Sequence, residues 1–152
     1  MNLMGLISNI PALIVNAVIT LIALTGHELG HAWVSTKLGD PTPRMEGRLT
    51  INPLAHLDIV GTILMILTGF GWAKPVGINP AYYKDRKKGT ALTAAAGPLS
   101  NLIMSFAVLL LYYIYAVIAI KTGFAIGSMA LISSLVSTFV VRNLCFMVFN
   151  LI

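Results

Sequence analysis

Leu24-Thr25-Gly26-His27-Glu28-Leu29-Gly30-His31-Ala32-Trp33 places two histidines and a glutamate inside an apolar run that extends from Ile10 to about Leu38. Pro11 suits the first turn of a helix and Gly39 suits its end, so the run reads as one helix. At 1.5 Å per residue it is roughly 40 Å long, enough to cross a hydrocarbon core of about 30 Å with some tilt. Ionisable groups inside a bilayer cost at least about 2.5 kcal/mol each on the most lenient scale, so three within five residues require a compensating partner. Histidines at i and i+4 share one helical face, where their imidazoles converge on a single Zn²⁺ with the adjacent Glu28 as general base. The pattern is expected by chance on the order of once in a thousand chains of this composition. Gly30, lacking a side chain, would let backbone or substrate approach such a metal closely.

The remainder of the 152 residues fits a bilayer setting. The chain is 57% hydrophobic and only 10% charged, against about 25% charged for a soluble domain. One integral-membrane domain spanning 1–152 accounts for the length, and no repeat or linker divides it. No basic start or cleavage-site pattern of a secretory signal precedes the first apolar segment, which is expected to be retained. Cys145 is the single cysteine, which rules out an internal disulfide, and its apolar surroundings suggest a buried small hydrophobe. The net charge of +5 does not point to nucleic acid, because the basic residues flank apolar segments instead of interleaving with aromatics.

Three further apolar segments follow. Leu54–Gly71 is short and interrupted by Gly61, Gly69 and Gly71, whereas Thr90–Ile120 and Phe124 to the end are long enough to span, with Lys121-Thr122-Gly123 as their turn. Lys37, Arg44, Arg48, Lys74, Lys84, Arg86, Lys87 and Lys88 all fall between the first helix and the third segment. If 54–71 is re-entrant, these charges share one face, which the positive-inside tendency makes cytoplasmic; if it crosses, they are split. The charge asymmetry favours the re-entrant arrangement. From Arg44 to Asn52 polar and apolar residues alternate with the period of a strand, and Trp72–Pro80 offers an extended partner. The expected fold is therefore an all-α membrane protein of about three transmembrane helices, a re-entrant or interfacial segment and a short β-hairpin. Edge pairing along 44–52 would hold an unwound substrate extended, and a surface hairpin without that role is the alternative.

Beyond the histidine motif, three stretches carry a wider likeness: Gly47-Arg48-Leu49-Thr50-Ile51-Asn52-Pro53-Leu54-Ala55-His56-Leu57-Asp58, Gly71-Trp72-Ala73-Lys74-Pro75-Val76, and Ala96-Gly97-Pro98-Leu99-Ser100-Asn101. With them the chain resembles the site-2 protease family of intramembrane zinc metallopeptidases, in its prokaryotic form, over nearly its whole length. The resemblance implies Zn²⁺ as cofactor, His27 and His31 as ligands, Glu28 as catalytic base, and cleavage of membrane-anchored protein substrates in or near the bilayer of the cell membrane, close to its cytoplasmic face. It also implies a third ligand from the Asp of a Leu-Asp-Gly motif, which would lie beyond Ile152; the chain reads as a fragment truncated before that motif and inactive alone. Asn101 either orients substrate or serves as interhelical glue. His56 and Asp58 read as caps or anchors of the 54–71 segment in preference to ligands, although Asp58 becomes a substitute ligand if that segment folds back. The rival readings are a metal-binding or transport protein, which would need more polar residues along the later helices than Asn101, Arg142 and Asn143, and an inactive membrane scaffold.

Overall fold

The computed structural model describes residues 10–68 and 72–151. Helix α1 (Ile10–Lys37) is followed by a single-turn helix α2 (Thr42–Met45), a 3₁₀ turn at Pro53–His56, and α3 (Ile59–Thr68). After an extended stretch and a second 3₁₀ turn at Pro80–Tyr82 come the long α4 (Arg86–Thr122) and α5 (Met129–Phe149). Among the described residues three helices are long and apolar enough to cross a membrane: α1, α4, and Ile126–Phe149, which comprises a 3₁₀ turn and α5. Gly39 ends α1 in a left-handed conformation at φ 105°, and Gly123 does the same for α4 at φ 70°, an angle that carries no Cβ penalty only in glycine. α4 begins at Arg86, four residues before its apolar run, because the Asp85 side chain accepts a hydrogen bond from the Lys88 N–H and caps a basic first turn.

Within the described residues the short apolar segment forms α3, ten residues long. Asp58 caps α3 by accepting from the Gly61 N–H at 2.8 Å, and ten residues of helix rise only about 15 Å, half a hydrocarbon core. Gly61 does not interrupt α3; a Cβ there would collide with the Trp72 carbonyl, so the missing side chain is what lets the extended stretch lie against the helix. Gly69 and Gly71 lie outside the described residues.

The expected β-hairpin does not form. Residues 44–52 adopt the end of α2, a left-handed Gly47 at φ 68°, and bends, and among the described residues the β pairing consists of one antiparallel bridge between Leu57 and Ala73. The alternation misled because it assigned the wrong faces: Met45 and Ile51 are 81% and 82% exposed, while Arg48 is buried. Arg48 is therefore set apart from exposed basic residues such as Lys88. Its guanidinium donates to the carbonyls of Ala55, Lys74 and Pro75, tying the loop after α2 to the extended stretch.

Burial is inverted relative to a water-soluble protein. Thr20, Thr25, Ser35, Thr93, Asn101, Ser105 and Asn143 are buried at helix contacts, while large apolar side chains such as Ile14, Leu111, Phe106 and Leu131 face outward. Small and polar residues at helix interfaces are what lipid surroundings favour, since lipid solvates leucine as well as another helix does. Cys145 belongs to the outward set and is exposed, contrary to the expected burial.

α1 and α4 run antiparallel, with His31 near Thr93 and Gly26 near Ser100. The tight turn at Gly123 makes α5 antiparallel to α4 and hence parallel to α1. Arg142 of α5 donates to Thr20 Oγ1 at 3.0 Å and Asn16 Oδ1 at 3.2 Å, fixing the level at which these two parallel helices meet.

Candidate active site

His27 and His31 meet as the one-turn spacing demands. Their Nε2 atoms are 3.1 Å apart, and the rings stand edge to face at 4.7 Å between centroids. α4 supplies the opposite wall, and Gly97 is its decisive residue: a Cβ there would overlap His31 Nε2 and lie 2.7 Å from His27 Nε2. Gly97 lies in the quoted Ala96–Asn101 stretch, and its missing side chain makes room for both imidazoles. Gly30 also has a more specific role than expected. It lets the Ala96 carbonyl and Ser100 of α4 approach α1, so the close backbone belongs to the neighbouring helix. Ser100 Oγ then donates to the Gly26 carbonyl at 2.9 Å.

The tautomer of His31 follows from its partner. Its Nδ1 lies 2.6 Å from the Thr93 carbonyl, which can only accept, so Nδ1 carries the proton and Nε2 presents a lone pair. Behind Thr93, its hydroxyl contacts Tyr83 Oη at 3.1 Å, Tyr83 Oη contacts Ser35 Oγ at 2.8 Å, and Ser35 Oγ donates to Asp40 Oδ2 at 2.8 Å. Asp40 also accepts from the Asn79 and Thr42 backbone N–H groups. Burial raises the Asp40 pKa, but the hydrogen bonds from Thr42, Asn79 and Ser35 outweigh it and hold the carboxyl below its ordinary range. A buried chain of polar contacts thus joins the end of α1, the extended stretch and α4 behind the histidines.

Glu28 is turned toward the extended stretch, where its Oε2 accepts from the Val76 N–H at 3.3 Å. Val76 reaches this position because Arg48 gathers the neighbouring carbonyls of Lys74 and Pro75, and the Lys74 N–H bonds the His56 carbonyl at 2.9 Å. Arg48→Met is expected to lower stability by about 2–3 kcal/mol, since it leaves buried carbonyls unmet. Arg48→Lys should not restore it, because one ammonium cannot span the three acceptors. Thermal unfolding and amide exchange at Val76 would check this; unchanged exchange would separate Arg48 from the positioning of Glu28.

His56 and Asp58 are engaged with other partners. His56 is buried with Nε2 2.9 Å from the Thr50 carbonyl, and Asp58 is occupied as the α3 cap. Among the described residues no group of three His, Cys, Asp or Glu is placed to hold a metal ion. Asn101, one turn beyond Gly97, is completely buried.

The two histidines fit a metal. Ligands about 2.05 Å from a tetrahedral centre are separated by roughly 3.4 Å, close to the 3.1 Å observed, and His31 already has the partner on Nδ1 that a ligating imidazole needs.

Comparison with known proteins agrees. Over 139 residues the chain is 41% identical to "Putative zinc metalloprotease YwhC" of Bacillus subtilis (strain 168), a match covering 89% of this chain and 61% of that protein. The chain is similar to proteins named as zinc metalloproteases. A second relative, "Putative zinc metalloprotease Rip2" of Mycolicibacterium smegmatis, is 35% identical over 97 residues, 60% of this chain and 36% of that protein. The chain thus spans less than two thirds of the length of either relative. No protein-family profile and no solved structure matches it. The three long apolar helices among the described residues suit a membrane protein.

Proposed function

We propose that the chain is the metal-binding core of an intramembrane zinc endopeptidase of the site-2 protease type, acting on membrane-anchored proteins near the cytoplasmic face of the cell membrane. The observation that carries this reading is the convergence of His27 and His31 Nε2 at 3.1 Å beside Glu28, near the end of a bilayer-length helix. Bound between these histidines, zinc would acidify a water molecule and polarise the scissile carbonyl. Glu28 would serve as the general base, taking the proton of an attacking water and passing it to the leaving amine, with its carboxylate oriented by the Val76 N–H. An apolar groove of about 470 Å³, lined by residues including Leu21, Ile22, Gly26, Leu29, Pro53 and Met104, runs along α1 beside the motif and suits a hydrophobic substrate segment.

A third ligand would enter from the C-terminal end of α5. Arg142 lies level with Asn16 and Thr20, and about seven to eleven residues further along α1 comes His27; the same interval along the parallel α5 begins at its last residue, Phe149. Zinc bound by the full-length protein in detergent tests the reading. One tightly held equivalent, lost together with cleavage of a model membrane substrate on chelation and restored by zinc, is expected. Retention of that zinc by a His27→Ala, His31→Ala double variant would overturn the assignment.

A further inference from the structure

Arg142 is the one Asp, Glu, Lys or Arg residue of α5, and it lies well inside the helix. In α4 such residues occur only near the two ends, and in α1 they are Glu28 and Lys37. A guanidinium within a helix of bilayer length is costly to insert, and lipid solvates a leucine there without penalty. Stability therefore does not account for Arg142, and a definable partner is called for.

The partner is α1. Arg142 Nη1 donates to Thr20 Oγ1 at 3.0 Å and Nη2 donates to Asn16 Oδ1 at 3.2 Å; among the described residues these are the side-chain hydrogen bonds that join α5 to α1. Both acceptors are oriented beforehand. Asn16 Nδ2 donates to the Ala12 carbonyl at 2.8 Å, which fixes the amide, and the Thr20 hydroxyl donates to the Asn16 carbonyl at 2.7 Å, which leaves its oxygen only lone pairs to offer. Asn16 and Thr20 are one helical turn apart, and the residues one turn further on either side, Ala12 and Leu24, have no side-chain acceptor. A planar guanidinium that spans both acceptors thus fits α1 at one level. Sliding α5 by a turn in either direction loses at least one of the two bonds. That level decides what the end of α5 meets, because the interval that leads from these acceptors to His27 leads from Arg142 to Phe149 and beyond. The other polar tie of this hairpin, from Tyr115 Oη to the Ala125 carbonyl at 2.8 Å, is at the α4–α5 turn, far from the site.

Resting on the zinc-site reading above, we propose that Arg142 is a positioning residue: its clamp on Asn16 and Thr20 sets the register of α5 against α1 and holds the chain leaving α5 level with the His27–His31 pair. Arg142, Asn16 and Thr20 do not line the apolar groove, so the role requires no contact with substrate.

The full-length protein in detergent tests it. Spin labels on Cys145 and on a cysteine introduced at the exposed Leu13 of α1 report the register by pulsed EPR without zinc. Arg142→Leu should shift or broaden that distance without lowering the thermal midpoint, since it removes a charge from the bilayer. In the zinc-loaded protein it should lower kcat on a model membrane substrate on the order of 100-fold, the effect of a misplacement of about 1 Å, with KM nearly unchanged. Arg142→Lys should recover part of the loss, because one ammonium reaches one acceptor at a time. Adding Asn16→Leu and Thr20→Val to Arg142→Leu should cost nothing further, because the charge and its acceptors act as one unit. An unchanged label distance in Arg142→Leu would overturn the proposal whatever happens to activity. So would undiminished kcat at a shifted distance, or a further loss in the triple variant. Absence of zinc bound through His27 and His31 in the parent would instead remove the function on which the proposal rests, and the zinc-free label distance tells the two failures apart.

Discussion

Gly97→Ala is expected to cost the protein its zinc, with an affinity loss on the order of 100-fold or more, although the substitution adds a single methyl group to a residue that ligates nothing. The added Cβ falls inside the contact distance of His31 Nε2 and 2.7 Å from His27 Nε2, the two atoms that must converge. Relief requires either rotating both imidazoles away or separating α4 from α1. The first abolishes the ligand pair. The second breaks the Ser100–Gly26 contact and the His31–Thr93 bond. In a helix interior alanine is otherwise favoured over glycine by about 1 kcal/mol, so local helix stability predicts the opposite sign. Bound zinc and thermal midpoint, measured together, distinguish the two. Full zinc occupancy in Gly97→Ala would mean that the histidines coordinate away from α4.

The second large effect is kinetic. Glu28→Gln should retain zinc and fold while lowering cleavage of a model membrane substrate by about 10²- to 10⁴-fold, the range for losing a general base. The substitution is nearly isosteric, and the glutamine Oε1 can still accept from the Val76 N–H. What is lost is the capacity to take a proton. Unchanged turnover would remove Glu28 from the mechanism. A loss of zinc in parallel with activity would instead assign Glu28 a structural or ligating part.

The reading of Arg44–Asn52 as a strand is the instructive failure. Alternation reports a strand only when one face is buried and the other solvated, and here the polar Arg48 is the inward residue. A guanidinium can be buried when carbonyls surround it, and those carbonyls come from residues 55, 74 and 75. Their arrival at Arg48 is a tertiary event that no window of local sequence contains. The same limit explains Gly30 and Gly97. Both are visible as small residues, but whether a small residue admits a substrate, a helix or an imidazole depends on which element lies opposite.

The chain by itself determined that three long apolar helices form and that His27 pairs with His31. Each is a short-range consequence of apolar run length, glycine stops and the 3.6-residue turn. It also indicated that the 54–71 segment is short, and the motifs pointed to the chemistry. Only the tertiary structure decided the proton position on His31, the turning of Glu28 toward Val76, and the emptiness of Gly97 that lets the histidines meet. These depend on contacts between α1 and residues roughly 50 to 70 positions away. Helix periodicity sets which side chains share a face, whereas the register between helices sets what that face meets.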